Sequence, residues 1–331
     1  MRVAAYSRYG SPEVVGIAER PEPHAAAGEI RVRVHAASVG AADGAARSGS
    51  PWFARLAFGL RAPRRSVLGS DFAGIVDEVG PGVTRFVVGD RVFGATGAAV
   101  GAHAEVLVVA ESGAIAPVPD GVAMTDAAAA CDGALTALPF LRDGARLAPD
   151  QRVLVIGASG SVGAAAVQLA KDLGAHVTAV CGPAHVDLVA SLGADRVIDR
   201  TVDDALAGAD AYDVVFDAVA ASTFRRARRV LADGGVYLTT VPSFAILLQQ
   251  LTSRLGRRRA VIMFTGLRKD ADKAPDLEQL AGLLASGALR PPIEREVSLE
   301  QLADGYRVVD SGHKGGSVVL RLVPAGAEAS A

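Results

Sequence analysis

The chain has 331 residues, with 34 Lys or Arg against 36 Asp or Glu, so its net charge is −2, and half of its residues are hydrophobic. This balance argues against the basic surface of a nucleic-acid-binding protein and against a general attraction to anionic membranes. No apolar run reaches about 18 residues without a charge, which argues against a membrane-spanning helix.

The length allows two domains, and the cysteines indicate the compartment. Cys131 and Cys181 lie far apart in apolar surroundings, so we expect buried free thiols rather than a disulfide. The N-terminus lacks the long apolar segment of a signal peptide. We therefore expect a cytoplasmic protein with no nucleic-acid or membrane partner.

The first part of the chain, up to about residue 122, shows short alternating apolar runs, which is a pattern typical of β-strands. Turn sequences such as Gly80-Pro81-Gly82 separate the runs. The pattern predicts a bent antiparallel sheet or a partial barrel. Its strands are expected at Glu29–Ala36, Gly74–Val79, Asp90–Phe93 and Ala104–Val109.

A glycine-rich turn follows an apolar run in the segment RVLVIGASGSVG, residues 152–163. An alanine-rich amphipathic segment and a second apolar run come next, which together predict a dinucleotide-binding strand–turn–helix–strand unit. Gly157 and Gly160 are expected to let the backbone turn sharply and approach a pyrophosphate, and Gly163 to let the helix pack on the strand. The strict G-x-G-x-x-G pattern is not met, because Ala158 stands at its first glycine.

The β-α-β rhythm continues to about Gly266 and predicts a doubly wound parallel sheet. The remaining tail is expected to return to the first domain, which gives one domain of residues 1–122 and 268–331 and another of 123–267. The sheet strands are predicted at Arg152–Ile156, His176–Val180, Arg196–Ile198, Asp213–Asp217, Gly235–Thr240 and Ala260–Phe264. In the tail we predict a helix at Pro275–Ala285, a strand at Ile293–Val297, a helix at Leu299–Asp310 and a strand at Ser317–Leu322.

The end of the second sheet strand bears on the choice of cofactor. An NAD site usually has an acid there for the ribose 2′-hydroxyl, but this chain has Cys181, Gly182 and Pro183. His185 and Arg200 are candidate cationic partners for a 2′-phosphate. His185 could equally be an exposed helix residue, and Arg200 a solvated loop charge. Together these features favour NADPH over NADH.

The order of these parts resembles the medium-chain dehydrogenase/reductase superfamily, and specifically its zinc-free quinone oxidoreductase-like branch. The resemblance implies an α/β fold with a GroES-like β-rich catalytic domain and a doubly wound parallel Rossmann sheet. It covers nearly the whole chain and is more specific for fold and cofactor than for substrate. It rests on the segments PEVVGIAERPEP, VLGSDFAGIVDEVGPGVTRFVVGDRVFG, DGALTAL, GASGSVGAAAVQLAK, LVASLGADRVID, YDVVFDAV and GHKGGSVVLRL.

The zinc-dependent members that this chain also resembles need a cysteine and a histidine in the first domain. Residues 1–122 contain no cysteine, and Ser70 and Asp71 stand where those members carry a histidine and an acid. Because zinc requires such ligands at close range, no metal is expected.

The resemblance also implies site residues. The candidate catalytic residues are Asp43 and Thr136, although Asp43 could instead be a turn or N-cap residue. Gly40 stands where relatives often have an asparagine, and the tyrosine that often follows is absent. The candidate cofactor-binding residues are Thr136, Gly160, Ser161, Val162, Cys181, His185, Arg200, Ala218, Val219, Val241 and Ser317.

These features predict a zinc-independent, NADPH-dependent reductase of quinones or α,β-unsaturated carbonyls. A biosynthetic tailoring enoyl reductase and a non-catalytic NADPH-binding protein remain alternatives. An apolar strand at residues 260–264 would lie at the edge of the sheet, so we expect a homodimer in which this strand pairs with its copy. The alternative is that the segment Leu247–Leu255 or the tail covers this edge within one chain.

Overall fold

The computed structural model describes residues 1–52, 54–208 and 212–323. The strands are β1 (Arg2–Ala5), β2 (Gly16–Glu19), β3 (Glu29–Ser38), β4 (Asp71–Val79), β5 (Arg91–Ala95), β6 (Val106–Ala110), β7 (Ala114–Pro117), β8 (Arg152–Ile156), β9 (His176–Cys181), β10 (Arg196–Asp199), β11 (Tyr212–Asp217), β12 (Leu231–Thr239), β13 (Arg259–Ile262), β14 (Ile293–Val297) and β15 (Ser317–Arg321). The α-helices are α1 (Ala41–Ser48), α2 (Ala54–Phe58), α3 (Met124–Pro139), α4 (Ser161–Asp172), α5 (Val186–Ser191), α6 (Phe224–Ala227), α7 (Phe244–Thr252), α8 (Asp270–Ser286) and α9 (Leu302–Asp310).

Contacts divide the chain into two compact units. The first unit is Met1–Asp132 with Gly266–Gly287 and Ile293–Ala331, and the second is Gly133–Thr265 with Ala288–Pro292. The boundary between the units falls inside α3, after Asp132. A boundary within a helix cannot be predicted from the point where the sequence pattern changes from one type of strand to another. The domain boundaries given above, at 122/123 and 267/268, remain a prediction.

The first unit contains a seven-stranded sheet in the order β14-β15-β3-β4-β5-β7, with β6 also paired to β3. Strand β3 shows why the sheet bends. Its first half alternates: Ile30 and Val32 are fully buried, while Arg31 and Arg33 bind Asp77 on β4 at 2.7 and 2.9 Å. Its register with β4 shifts twice, and its second half is buried on both faces. The expected bent antiparallel, GroES-like domain is confirmed.

The closing segments of the chain belong to the same sheet, because β15 pairs antiparallel with β3. In this part of the chain, the bounds of one helix, α8, differ clearly from the predicted ones. Helix α8 begins at Asp270, five residues before Pro275, although proline is most often found in the first helical turn. Asp270 and Asp272 occupy the first turn, where negative charge favours a helix start.

The second unit is built on a parallel sheet in the order β10-β9-β8-β11-β12-β13. This is the strand order of a doubly wound dinucleotide-binding fold, and it confirms the predicted Rossmann sheet. The apolar run of β8 is buried from Val153 to Ile156, as expected for a strand covered on both faces.

The predicted edge strand is shorter than expected. Strand β13 ends at Ile262, and Phe264 lies beyond it with 49% of its surface exposed. The N–H groups of Ala260 and Ile262 donate to Ser253 Oγ and Gln250 Oε1, each at 2.9 Å. The segment Leu247–Leu255 thus supplies their acceptors within the chain, which is the alternative given above, and pairing of this strand with a second copy stays a prediction.

Candidate functional site

The turn after β8 is shaped by two glycines that no larger residue could replace without movement. Gly157 has φ +79°, and a Cβ on it would lie 2.7 Å from the Val219 side chain. A Cβ on Gly163 would lie 2.1 Å from the carbonyl oxygen of Gly157. The N–H groups of Gly157 and Ala158 both donate to the carbonyl of Val180 on β9, which fixes the turn against the sheet.

Gly160 lies at the start of α4 and differs from the other two glycines. Its φ is −72°, and a Cβ would meet only the carbonyl oxygen of Gly157, at 3.7 Å. The turn itself therefore does not require a glycine at this position. A Cβ on Gly160 finds open space, and this glycine, the N-cap of α4, has no side chain that could cap the helix. This geometry fits a pyrophosphate, because a helix N-terminus attracts anions.

Several predicted cofactor residues follow strands of the same parallel sheet. Ala218 and Val219 come after β11, and Val241 comes after β12. The side chains of Val219 and Val241 are 51% and 44% exposed. Thr240 Oγ1 donates to the carbonyl of Ala218 at 2.9 Å, which joins the two strand ends. The second unit therefore places these residues at the carboxyl edge of its sheet, where such folds bind ligands.

Asp217 holds this edge together and was not predicted. Its buried carboxylate accepts hydrogen bonds from the N–H groups of Val219, Ala221 and Ser222 at 3.3, 3.1 and 2.7 Å. The Tyr237 hydroxyl donates to it at 3.0 Å. Its position as the last residue of an apolar strand, before a turn, is the sequence signal that could have identified it.

The predicted 2′-phosphate contacts lie at the end of β9. Cys181 is buried, and burial, followed by the nearby Asp199 carboxylate, raises the pKa of its thiol. A Cβ on Gly182 would lie 3.7 Å from Nε of Arg200, so the Arg200 guanidinium lies beside this strand end. His185 ends a short 3-10 turn, Pro183–His185, and is half-buried.

Asp199 is an acid beside the end of β9 that the sequence around β9 does not predict. It ends β10 and is the register partner of Cys181. Its carboxylate accepts from the N–H and hydroxyl of Thr201 at 2.8 and 2.7 Å, and these bonds hold its pKa below the usual value. Only the pairing of β9 with β10 brings this acid beside the strand end.

The remaining predicted residues lie on separate elements. Thr136 is a half-buried residue of α3 in the second unit, and Ser317 is the buried first residue of β15 in the first unit. Their contacts with a cofactor stay predictions.

Asp43 has a structural contact of its own. It lies in the first turn of α1, and its carboxylate accepts from the N–H of Gly40 at 3.0 Å, which caps the helix. Burial raises its pKa. A Cβ on Gly40 would lie 2.7 Å from Asp132 Oδ1, so Asp132 occupies the space that an asparagine at this position would need.

No group of three or more His, Cys, Asp or Glu in residues 1–52, 54–208 and 212–323 is arranged to hold a metal ion. No helix in the part of the chain that the structure describes is long and apolar enough to cross a membrane.

Two family models match the chain. Residues 26–120 match the alcohol dehydrogenase GroES-like domain, and residues 192–320 match the zinc-binding dehydrogenase domain.

Comparisons with individual proteins extend these matches over nearly the whole chain. The chain is 31% identical over 327 residues to the mitochondrial NAD(P)H oxidoreductase RTN4IP1 of Mus musculus, with 89% of this chain and 82% of that protein covered. It is 33% identical over 317 residues to the spectinabilin polyketide synthase system protein NorB of Streptomyces orinoci, but it spans only 14% of that protein. The structure of the Escherichia coli quinone oxidoreductase complexed with NADPH aligns with a TM-score of 0.83 and 25% identity, covering 97% of this chain and all of that one.

Proposed function

Because the chain belongs to the quinone oxidoreductase-like branch of the medium-chain dehydrogenase/reductase superfamily, and so is an NAD(P)H oxidoreductase, we propose that it reduces quinones or α,β-unsaturated carbonyls with NADPH. The observation that carries the cofactor part of the proposal is the glycine turn before α4, where a side chain on Gly160 would find open space at the helix N-terminus. The acceptor class is supported by the quinone oxidoreductase that the fold matches.

The residues of the second unit fit a dinucleotide. Gly160, Ser161 and Val162 would hold its pyrophosphate, and Arg200 would pair with a 2′-phosphate. Asp217 would keep the loop at Ala218 and Val219 in place. When bound, the nicotinamide would supply a hydride, while the protein would orient it and the acceptor.

NADPH rather than NADH is favoured by the Arg200 guanidinium beside Gly182. The carboxylate of Asp199 could bind a ribose hydroxyl instead, but its bonds to Thr201 direct one of its oxygens into its own turn. A charge-assisted bond to the phosphate would give Arg200 the larger effect on affinity.

One comparison favours a second function. The match to a stretch of a polyketide synthase system protein supports a role in a biosynthetic pathway, which is the setting of the tailoring enoyl reductase named above as an alternative. A non-catalytic NADPH-binding role is the third possibility, because Gly40 and the missing tyrosine remove polar groups that relatives often carry.

These functions can be tested by measuring the rate of NADPH oxidation with a panel of quinones, simple enones and enoyl thioesters. Turnover with quinones or enones supports the first proposal, and turnover confined to enoyl thioesters supports the second. Tight NADPH binding without turnover of any acceptor would support the non-catalytic NADPH-binding role. Activity that a chelator abolishes would contradict the expected metal independence.

We further propose that the protein forms a homodimer, and that its surface is the α7 apolar face, consisting of Phe244, Leu247, Leu248, Leu251 and Leu255. These side chains are 45–100% exposed, although they recur at helical spacing on one side of the segment. An exposed apolar surface of this kind commonly marks an interface. The opposite side of the segment already covers β13 through Gln250 and Ser253. A cytoplasmic location remains a prediction.

A further inference from the structure

Two arginine-rich segments of the second unit have no part in the proposed dinucleotide site. They are RRARR, residues 225–229, and RLGRRR, residues 254–259, and each carries four arginines. The first segment ends α6, and the second leads into β13. The N–H of Gly234 donates to the carbonyl of Arg257 at 2.7 Å, which joins the second segment to the first part of β12. The fold therefore brings the two segments to one end of the sheet.

A cavity of about 410 Å³ lies between these two segments. Its size is within the range of about 300–1,000 Å³ that is typical of sites for small molecules. Both segments contribute to this cavity, the arginine pocket, which is lined by Phe224, Arg228, Asp233, Ser253, Arg257 and Arg258 among others. The pocket therefore combines cationic groups with an aromatic ring and a hydroxyl.

One acid accompanies three arginines in the arginine pocket. The Asp233 carboxylate lies 3.0 Å from Nη1 of Arg257 and 3.7 Å from Nη2 of Arg258. These two guanidinium groups thus converge on a single anionic group. Three guanidinium groups and one carboxylate leave an excess of two positive charges. A phosphate monoester, whose charge near neutral pH is about −1.5 to −2, would balance this excess.

The Arg228 guanidinium is positioned without an ionic partner. Its Cζ lies 5.7 Å from the centroid of the Phe224 ring. No hydrogen bond or ion pair joins this guanidinium to another group in the part of the chain that the structure describes. In the same segment, by contrast, Arg226 pairs with Asp204 at 2.8 Å. The N–H donors of Arg228 are therefore available to an anion in the pocket.

A buried hydroxyl adds a further donor to the pocket. Ser253 is 7% exposed, and its Oγ accepts the N–H of Ala260 at 2.9 Å. Its hydroxyl proton has no acceptor among the described residues. Nε of Arg258 donates to the carbonyl of Ala232 at 3.3 Å, which ties this arginine to β12. An oxyanion in the pocket would supply the acceptor that the Ser253 hydroxyl lacks.

The arginine pocket lies at the opposite end of the sheet from the proposed cofactor residues. Asp233 and Arg257 precede the first register pair of β12 and β13, whereas Val241 follows the last one. A strand rises about 3.3 Å per residue, so the chain from Asp233 to Val241 spans on the order of 20 Å. A small ligand in the pocket therefore does not reach the carboxyl edge of the sheet.

We propose that the arginine pocket binds the phosphate group of a small soluble molecule, at a site separate from the cofactor. The phosphate oxygens would accept hydrogen bonds from Arg228, Arg258 and the Ser253 hydroxyl. Arginine suits this task because its planar guanidinium offers two parallel N–H donors to a phosphate. Inorganic phosphate and a small phosphate monoester share this chemistry, so the experiment must distinguish them.

Arg228→Ala is the informative variant, because the Arg228 guanidinium has no ion pair whose loss would weaken the fold. The probes are inorganic phosphate, glycerol 3-phosphate and glucose 6-phosphate, titrated by calorimetry at constant ionic strength so that screening does not change. We expect the parent protein to bind, and Arg228→Ala to raise the Kd at least about tenfold through loss of a charge-assisted bond. Arg225→Ala removes the same charge from the same segment outside the pocket, and should bind as the parent does.

A second comparison separates the arginine pocket from the cofactor site, where phosphates could also bind. Arg200→Ala should leave the affinity for the three probes unchanged, and saturating NADPH should leave them bound. Loss of binding in Arg200→Ala, or complete displacement of the probes by NADPH, would place the anion at the cofactor site and overturn the proposal.

The remaining outcomes identify the ligand or reject the pocket. Tighter binding of the monoesters would identify an organic phosphate, and equal or tighter binding of inorganic phosphate would identify the free anion; both support the proposal. Absence of binding by all three probes, or equal affinities in the parent protein and Arg228→Ala, would overturn it. Binding confined to phosphatidic acid vesicles, a single-stranded oligonucleotide or a polyglutamate peptide would also overturn it. The proposed reductase activity does not depend on any of these results.

Discussion

Gly160 and Gly163 lie three residues apart in one turn, but a side chain on each would meet different surroundings. At Gly163 it would strike the backbone of Gly157, whereas at Gly160 it would enter open space. Gly163 is therefore required by the protein's own packing, whereas Gly160 would be required only by the ligand proposed to bind in front of α4.

This contrast gives the first prediction. Gly160→Val should fold normally and lose NADPH binding, because its side chain fills the space that a pyrophosphate needs. Gly163→Val should lose about 1–3 kcal/mol of stability, because its Cβ overlaps a carbonyl oxygen. Fluorescence titration and thermal melting measure the two effects. An unchanged NADPH affinity in folded Gly160→Val would contradict the placement of the site.

A second prediction at the residue scale concerns Arg200. We expect the parent protein to bind NADPH more tightly than NADH, and Arg200→Ala to weaken NADPH binding by about 1.5–3 kcal/mol through loss of one charge-assisted bond. NADH binding should change little. Arg196→Ala, at the other end of β10, is the control. Equal dissociation constants for the two cofactors in the parent protein would refute the assignment.

At the scale of elements, the loop after β11 is fixed by a single side chain. Asp217 binds three backbone N–H groups and one hydroxyl, so it sets the conformation of the segment that includes Val219. Val219 in turn lies against the glycine turn at Gly157. The Asp217 carboxylate therefore links the conformation of the loop after β11 to that of the turn after β8.

Asp217→Asn should accordingly lower both stability and cofactor affinity. The substitution replaces an acceptor by an amide donor that faces backbone N–H groups, and an unsatisfied buried group costs about 1–3 kcal/mol. Tyr237→Phe removes only the hydroxyl bond and should cost less. Denaturant unfolding and NADPH titration of both variants provide the check; an equal loss in both would mean that the backbone contacts do not matter.

At the scale of the whole molecule, the prediction concerns the surface through which two copies of the chain would form the proposed homodimer. Because β13 has two of its N–H groups occupied within the chain, the dimer should use the α7 apolar face. Leu248→Glu with Leu251→Glu should yield a monomer mass in light scattering at micromolar concentration, since charges would be buried in the interface. Val202→Glu, at an exposed valine elsewhere, is the control. A parent protein that is already monomeric would contradict the homodimer.

The sequence by itself determined the elements and their local chemistry. The apolar runs predicted the strands of the parallel sheet to within a few residues, with the largest difference at the start of β12. The turn from Gly157 to Gly163 predicted a dinucleotide site. These features depend on the periodicity of apolar residues and on glycine geometry, which are local properties of the chain. Cys131 and Cys181 are buried free thiols, as their apolar surroundings predicted.

Only the tertiary structure decided which side chains become neighbours. The pairing of β9 with β10 brings Asp199 beside Cys181, and Asp132 of α3 lies in the space beside Gly40. Burial raises the pKa of Asp71, and the groups that shift it further, including Ser38 and Asp132, lie far from it in the sequence. Such contacts depend on strand order and register, and no spacing along the sequence records them.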